Sequence, residues 1–154
     1  MNDFFFTEHI IATVGDTDGA ARDFLAAVTR TRHAEGAVVV GLSGDLGAGK
    51  TTFSQAVARA LSITETVTSP TFVIEKIYVI QPAKNGFSRL VHIDAYRLES
   101  PTELTKLGFA FILADSGNLV LIEWPERLGT LLPSPAITLF FCHINETTRS
   151  IKVL

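Results

Sequence analysis

A chain of 154 residues and 16.7 kDa fits one domain, residues 1–154, and at this length roughly 70% of the unfolded surface can be buried without help from metals or disulfides. Hydrophobic residues at 47% against 19% charged exclude a disordered chain, and a net charge of −3 argues against a dedicated basic nucleic-acid-binding domain. The single cysteine, Cys142, excludes an internal disulfide and a thiolate zinc site, and the four histidines (His9, His33, His92, His143) lack the i,i+4 pairing of a helical metal site.

In chain order, Met1–Phe6 has no positive leading region and too short an apolar run for a signal peptide. No later stretch approaches the ~20 apolar residues of a membrane helix, so the expectation is a cytoplasmic protein with no membrane partner. Asp16-Thr17-Asp18 offers N-cap residues, and Ala20, Ala21, Phe24, Leu25 and Val28 mark one helical face. Ala37–Leu42 is a β-branched run of the kind buried on both faces of a parallel sheet. Gly44–Gly49 interrupts it, and Phe53, Val57, Ala60 and Leu61 resume helical spacing. Strands are predicted at Thr71–Ile80, Leu90–Asp94, Leu119–Glu123, Ile137–Cys142 and Ser150–Leu154, with Gln81–Ser88 as a surface loop. Ser100-Pro101-Thr102-Glu103 reads as a capping box opening a short helix. Strands alternating with helices indicate an α/β fold with a partly parallel sheet, closed by a C-terminal antiparallel hairpin through Asn145–Thr148.

Gly44-Asp45-Leu46-Gly47-Ala48-Gly49-Lys50-Thr51 satisfies G-x-x-x-x-G-K-[ST] in full. It lies between a buried-strand pattern and a helix, as its chemistry demands. The glycines let backbone N–H groups turn inward and cradle a di- or triphosphate at the positive end of the following helix. Lys50 is expected to reach the β- and γ-phosphates, and the Thr51 hydroxyl to ligate Mg²⁺.

Such loops need a second carboxylate on the metal, at the C-terminal end of a neighbouring strand. Asp94 ends Leu90-Val91-His92-Ile93, and Glu123 ends Leu119-Val120-Leu121-Ile122; the residues themselves do not say which acid holds magnesium and which orients the attacking water. Trp124, followed by Pro125, belongs at a strand-to-helix corner and reads as a core aromatic capping the sheet. His92 reads as a satisfied core histidine. Thr68-Ser69-Pro70-Thr71 reads equally well as an ordinary turn or as a nucleotide-sensing loop.

Four blocks, Gly44–Phe53, Ser69–Phe72, His92–Leu98 and Glu123–Arg127, stand in the order and separation seen in the TsaE family, and the chain resembles that family over almost its whole length. The resemblance implies a P-loop NTPase fold with a mixed, mostly parallel sheet flanked by helices. It implies a Mg²⁺-dependent ATPase, slow alone and stimulated by the TsaD–TsaB complex, acting in threonylcarbamoyladenosine modification of tRNA and meeting tRNA only through that complex. By motif, the resemblance implies that ATP is held by Gly44, Asp45, Leu46, Gly47, Ala48, Gly49, Lys50, Thr51, Thr52 and Trp124. It assigns Mg²⁺ to Thr51 and Glu123, and catalysis to Lys50 and Asp94. It further implies adenine contacts near Asp16–Gly19 and a switch-like loop at Ser69–Phe72. Phe109–Leu113 departs from the family by being apolar where an acidic stretch is expected.

Two other readings compete. A small P-loop kinase has similar length but needs an acceptor pocket and an arginine-bearing lid, whereas the arginines here are dispersed. A nucleotide-dependent binding module would bind ATP without useful turnover.

Overall fold

The computed structural model describes residues 6–32, 35–69, 73–133 and 136–153. Seven strands form one sheet: β1 (His9–Ile11), β2 (Val38–Gly44), β3 (Glu75–Lys84), β4 (Phe87–Asp94), β5 (Asn118–Glu123), β6 (Ile137–His143) and β7 (Arg149–Val153). Their order is β1-β7-β6-β2-β5-β4-β3. The four central strands, β6, β2, β5 and β4, run parallel, and antiparallel strands complete the sheet on both sides. β5 is buried at every position, which is why its sequence is a continuous apolar run with no polar alternation.

Helices cover both faces. On one face, α1 (Val14–Thr31) and α2 (Lys50–Ala60) bury Phe24, Val28, Phe53 and Val57 against Val40, Leu42, Leu90, Leu119 and Leu121. Phe24, Phe53 and Phe141 meet edge-on at centroid separations of 5.4 and 5.5 Å, an arrangement that suits their ring quadrupoles. On the other face, α3 (Thr102–Lys106), α4 (Phe109–Ala114) and a 3-10 segment (Pro125–Leu131) cover Val39, Val91, Ile93, Val120 and Ile122 with Leu104, Phe109, Ile112 and Leu128. The apolar Phe109–Leu113 run is thus a helix that buries Phe109 and Ile112 and leaves Phe111 84% exposed.

The structure moves several predicted boundaries. α1 begins at Val14, not beyond Asp18: Thr13 is the N-cap, its hydroxyl accepting the Asp16 N–H at 3.1 Å while the Asp16 carboxylate accepts the N–H groups of Ala12 and Thr13, each at 2.9 Å. Strand β1, pairing with β7, was not predicted. The expected loop Gln81–Ser88 is mostly strand: β3 runs to Lys84 and β4 starts at Phe87, leaving Asn85-Gly86 as a two-residue turn with φ of 54° and 82°. Positive φ at both turn residues is the requirement of a type I′ hairpin, and Asn-Gly meets it. Pro82 is tolerated because β3 is the outermost strand and its pairing with β4 slips between Val79 and Lys84. The expected capping box is incomplete: Ser100 Oγ accepts the Thr102 N–H, but the Glu103 carboxylate reaches the Glu99 N–H instead of closing on Ser100. Pro70, Thr71 and Phe72, central to the expected switch-like loop, lie outside the described residues, as does the start of the strand predicted from Thr71. No helix among the described residues is long and apolar enough to cross a membrane.

Candidate active site

β2 ends at Gly44, and the loop Asp45–Gly49 delivers the chain into α2. Gly44, Gly47 and Gly49 have φ of 144°, 76° and 106°, conformations that a side chain would strain. A Cβ added at Gly44 would collide with the Phe141 carbonyl oxygen, so the loop must leave the sheet through a glycine. At Gly47 and Gly49 an added Cβ would meet nothing within 4 Å: both border open space. The Lys50 ammonium closes the loop by donating to the carbonyls of Gly44 (2.5 Å) and Asp45 (2.8 Å), and it stands 4.5 Å from the Trp124 ring centroid. Burial depresses its pKa below the ordinary lysine value, against the pull of Glu123, Glu126, Asp94 and Asp45.

Both predicted acids end buried strands at the same edge of the sheet. Glu123 accepts the Thr51 hydroxyl, with both carboxylate oxygens 3.1 Å from Oγ1, and its Oε2 lies 2.7 Å from His92 Nε2. Asp94 sits beside it on β4 and accepts the Tyr96 N–H at 2.9 Å. Lys50, Thr51, Thr52, Asp94, Glu123 and Trp124 line one cleft of about 420 Å³, with Leu46, Gly47 and Gly49 on the loop side and Tyr96 and Arg97 opposite. Gly44 and Asp45 enter through the carbonyls that hold Lys50, while Ala48 is buried and its N–H donates to the Asp45 carbonyl at 3.1 Å.

Trp124 is the predicted corner residue. Its φ of 59° and the bond from its N–H to the Leu42 carbonyl at 3.2 Å set the turn, and Pro125 follows in the 3-10 segment. The expectation of a core aromatic needs correction, because the half-buried ring faces the cleft between Lys50 and Tyr96 while its other side packs on the core. The expectation for His92 is also corrected: it is fully buried, but it bonds an acid of the cleft, and its Nδ1 has no partner among the described residues. Tyr96 and Arg97 were not singled out, although they follow Asp94 within two and three residues and so share its strand end.

A second cavity of about 260 Å³ lies across the loop, sharing Gly47, Gly49 and Thr52 with the first. Thr13, Val14 and Thr17 wall one side, and Phe141, Arg149 and Ile151 the other. It meets the expected Asp16–Gly19 region only at Thr17, because Asp16 is occupied in capping α1. Arg149 bridges the cavity wall to the loop by donating to the Gly47 carbonyl at 3.4 Å.

Comparison with known proteins gives the family. The family model for threonylcarbamoyl adenosine biosynthesis protein TsaE matches residues 13–151, from the cap of α1 into β7. Curated relatives named tRNA threonylcarbamoyladenosine biosynthesis protein TsaE include one from Rickettsia bellii, 36% identical over 81% of this chain and 81% of its own length. Another, from Treponema pallidum, is 38% identical over 77% of this chain and 82% of its own length. The Rickettsia felis relative is 38% identical over 75% of this chain, which spans 64% of that protein's length. The crystal structure of YdiB from Bacillus subtilis superposes with a TM-score of 0.69 and 27% identity, covering 96% of this chain and 83% of that one. A P-loop opening α2, two acids on adjacent parallel strands and a family match spanning nearly all of the sheet lead to one conclusion: the chain belongs to the TsaE family.

Proposed function

We propose that this protein is a Mg²⁺-dependent ATPase that supports threonylcarbamoyladenosine modification of tRNA through the TsaD–TsaB complex. The observation that carries the reading is the convergence of Lys50, Thr51 and Glu123 on one cleft beside the loop. The names of the curated relatives supply the pathway.

The residues present fit both ligands. Lys50 already binds two carbonyl oxygens at the loop mouth, and a phosphate oxygen is a stronger acceptor for the same ammonium. Thr51 and Glu123 offer hard oxygen donors within 3.1 Å of each other, a suitable start for an ion that takes one or two protein ligands and fills its remaining positions with phosphate and water. Magnesium, when bound, supplies charge neutralisation at the β- and γ-phosphate oxygens. In this reading Thr51 and Glu123 hold it, Lys50 steadies the same phosphates, and the loop N–H groups orient the triphosphate. Asp94 orients the attacking water and takes its proton as the γ-phosphorus–oxygen bond to ADP breaks. The adenine occupies the second cavity, between Val14 and Phe141, where apolar walls suit a flat base. Turnover by the isolated protein is slow and rises with TsaD and TsaB.

The two acids separate under mutation. Glu123→Gln is expected to weaken Mg²⁺-dependent nucleotide affinity, because a neutral amide is a poor ligand for a hard dication. Asp94→Asn is expected to bind ATP almost normally and lose hydrolysis by roughly 10²–10⁴-fold, the scale of a lost base or positioning group. Binding by calorimetry and phosphate release, each across a magnesium titration and with or without TsaD and TsaB, test both. The reverse pattern would exchange the two roles, and fast partner-independent turnover would remove the regulatory part.

A further inference from the structure

We infer that His92 is a positioning residue that orients the Glu123 carboxylate toward Thr51; this rests on reading Thr51 and Glu123 as the magnesium-holding pair. His92 is 0% exposed and Glu123 4% exposed, so their 2.7 Å contact is shielded from water, and the ring depends on Glu123 for its bond. The ring has one partner: Nδ1 is buried with none among the described residues. A proton on Nδ1 would find no acceptor there, whereas a proton on Nε2 is given to Glu123 Oε2. The tautomer is thereby assigned by the surroundings.

The consequence for the carboxylate is geometric. With Oε2 held by a rigid ring that cannot leave the packed sheet face, the Glu123 side chain cannot swing about its long stem. The carboxylate then stays turned edge-on toward Thr51 Oγ1, with both oxygens 3.1 Å from that hydroxyl on the cleft side. Outer partners of this kind orient the ligand, and their loss commonly costs 10- to 100-fold in metal affinity. His92 touches neither nucleotide nor reacting atoms; it acts through Glu123.

The test uses calorimetric titration of ADP at a series of MgCl₂ concentrations and in excess chelator. Glutamine can place an amide N–H near the position of Nε2, and asparagine, one methylene shorter, cannot. His92→Asn should raise the magnesium concentration needed for half-maximal tightening of ADP binding by about 10- to 100-fold. His92→Gln should stay within a few-fold of wild type, and chelator-phase ADP affinity should be unchanged in both. Thermal unfolding of each variant separates this from a general packing defect, which would move both together. If Glu123→Gln shifts the requirement while His92→Asn does not, or if His92→Gln behaves no better than His92→Asn, the inference fails and the site reading stands. If Glu123→Gln leaves the requirement unchanged, the reading itself fails and takes the inference with it. Should His92→Asn not fold, nitrogen-15 spectra of the wild-type rings decide: Nε2 protonated and shifting on Mg-ADP binding is expected, and Nδ1 protonated with Nε2 bare overturns it.

Discussion

Gly41 lies in the middle of β2 with an ordinary strand conformation, yet the fold has no room for a methyl group there. A Cβ at this position would lie 2.8 Å from Pro125 Cγ, 2.9 Å from Pro125 Cβ and 3.4 Å from Thr138 Oγ1. Carbon–carbon contacts are optimal near 3.5–4.0 Å, so Gly41→Ala creates an overlap of roughly 1 Å with a stiff proline ring. Pro125 is buried and cannot rotate away, because the Trp124 N–H is tied to the Leu42 carbonyl. Relief requires the whole Trp124–Pro125 corner to lift off β2. Overpacking of this kind costs about 1–3 kcal/mol, partly offset by the roughly 0.4–1 kcal/mol that Gly→Ala contributes by stiffening the unfolded chain. At about 2–4 °C per kcal/mol for a chain of this size, the melting temperature should fall by several degrees. The lifted corner also carries the Trp124 ring away from Lys50, so the fluorescence response to Mg-ADP should shrink. Thermal unfolding and a fluorescence titration on the same variant provide the check. A Gly41→Ala protein as stable as wild type, with an unchanged titration, would refute the packing of Pro125 on β2.

Lys50→Ala removes a charge-assisted bond worth ~1.5–3 kcal/mol, so ATP affinity should fall by roughly 10- to 150-fold in calorimetry; wild-type affinity would contradict the assignment of the loop. Trp124 is the only tryptophan, and wild-type emission should change on saturation with Mg-nucleotide; an unaltered spectrum would separate the ring from the nucleotide site. Asp16 has its pKa lowered below 3.8, first by the Ala12 and Thr13 N–H bonds, so its contribution to stability is present above that value and lost as pH falls through the lower folded one. The melting-temperature gap between wild type and Asp16→Ala should therefore narrow as the buffer is taken progressively below about pH 4, and a constant gap would count against the capping box.

The phosphate loop was legible because its signal is local: glycines needed for positive φ, a lysine and a hydroxyl, all within eight residues of one strand end. The β-branched runs marked β2, β4 and β5 for the same reason, and both strand-end acids came with them. The misses have physical causes. The start of α1 hid behind Val14 and Gly15, poor helix formers in which the Thr13–Asp16 cap overrides propensity. The β3–β4 hairpin looked like a loop because Gln81, Pro82 and Lys84 are polar or helix-breaking, and only an edge strand accepts them. The second cavity is assembled from the entry to α1, the loop and the β6–β7 hairpin, three separate segments spread along the chain from Ile11 to Ile151, so no local pattern announces it. The bond from His92 to Glu123 depends on the register between β4 and β5, which sequence periodicity does not reveal.

That register also explains why two acids that look equivalent along the chain are not equivalent in space. Leu42, Glu123 and Asp94 stand in a single row across β2, β5 and β4. With neighbouring strands about 4.8 Å apart, Glu123 is one strand from the phosphate loop and Asp94 is two, roughly 10 Å away. The first turn of α2 can therefore bring Thr51 to Glu123, while Asp94 accepts the N–H of Tyr96 from the turn that follows its own strand. Strand side chains repeat every two residues, so His92 points to the same face as Asp94, one step back from the edge and opposite Leu121. From there its ring reaches diagonally to Glu123, two residues beyond Leu121. The spacing His92-Ile93-Asp94 thus lets one strand place an acid at the cleft and a partner behind its neighbour's acid, while Ile93 faces the opposite core. Inserting one residue between them would turn one of the two away from the site.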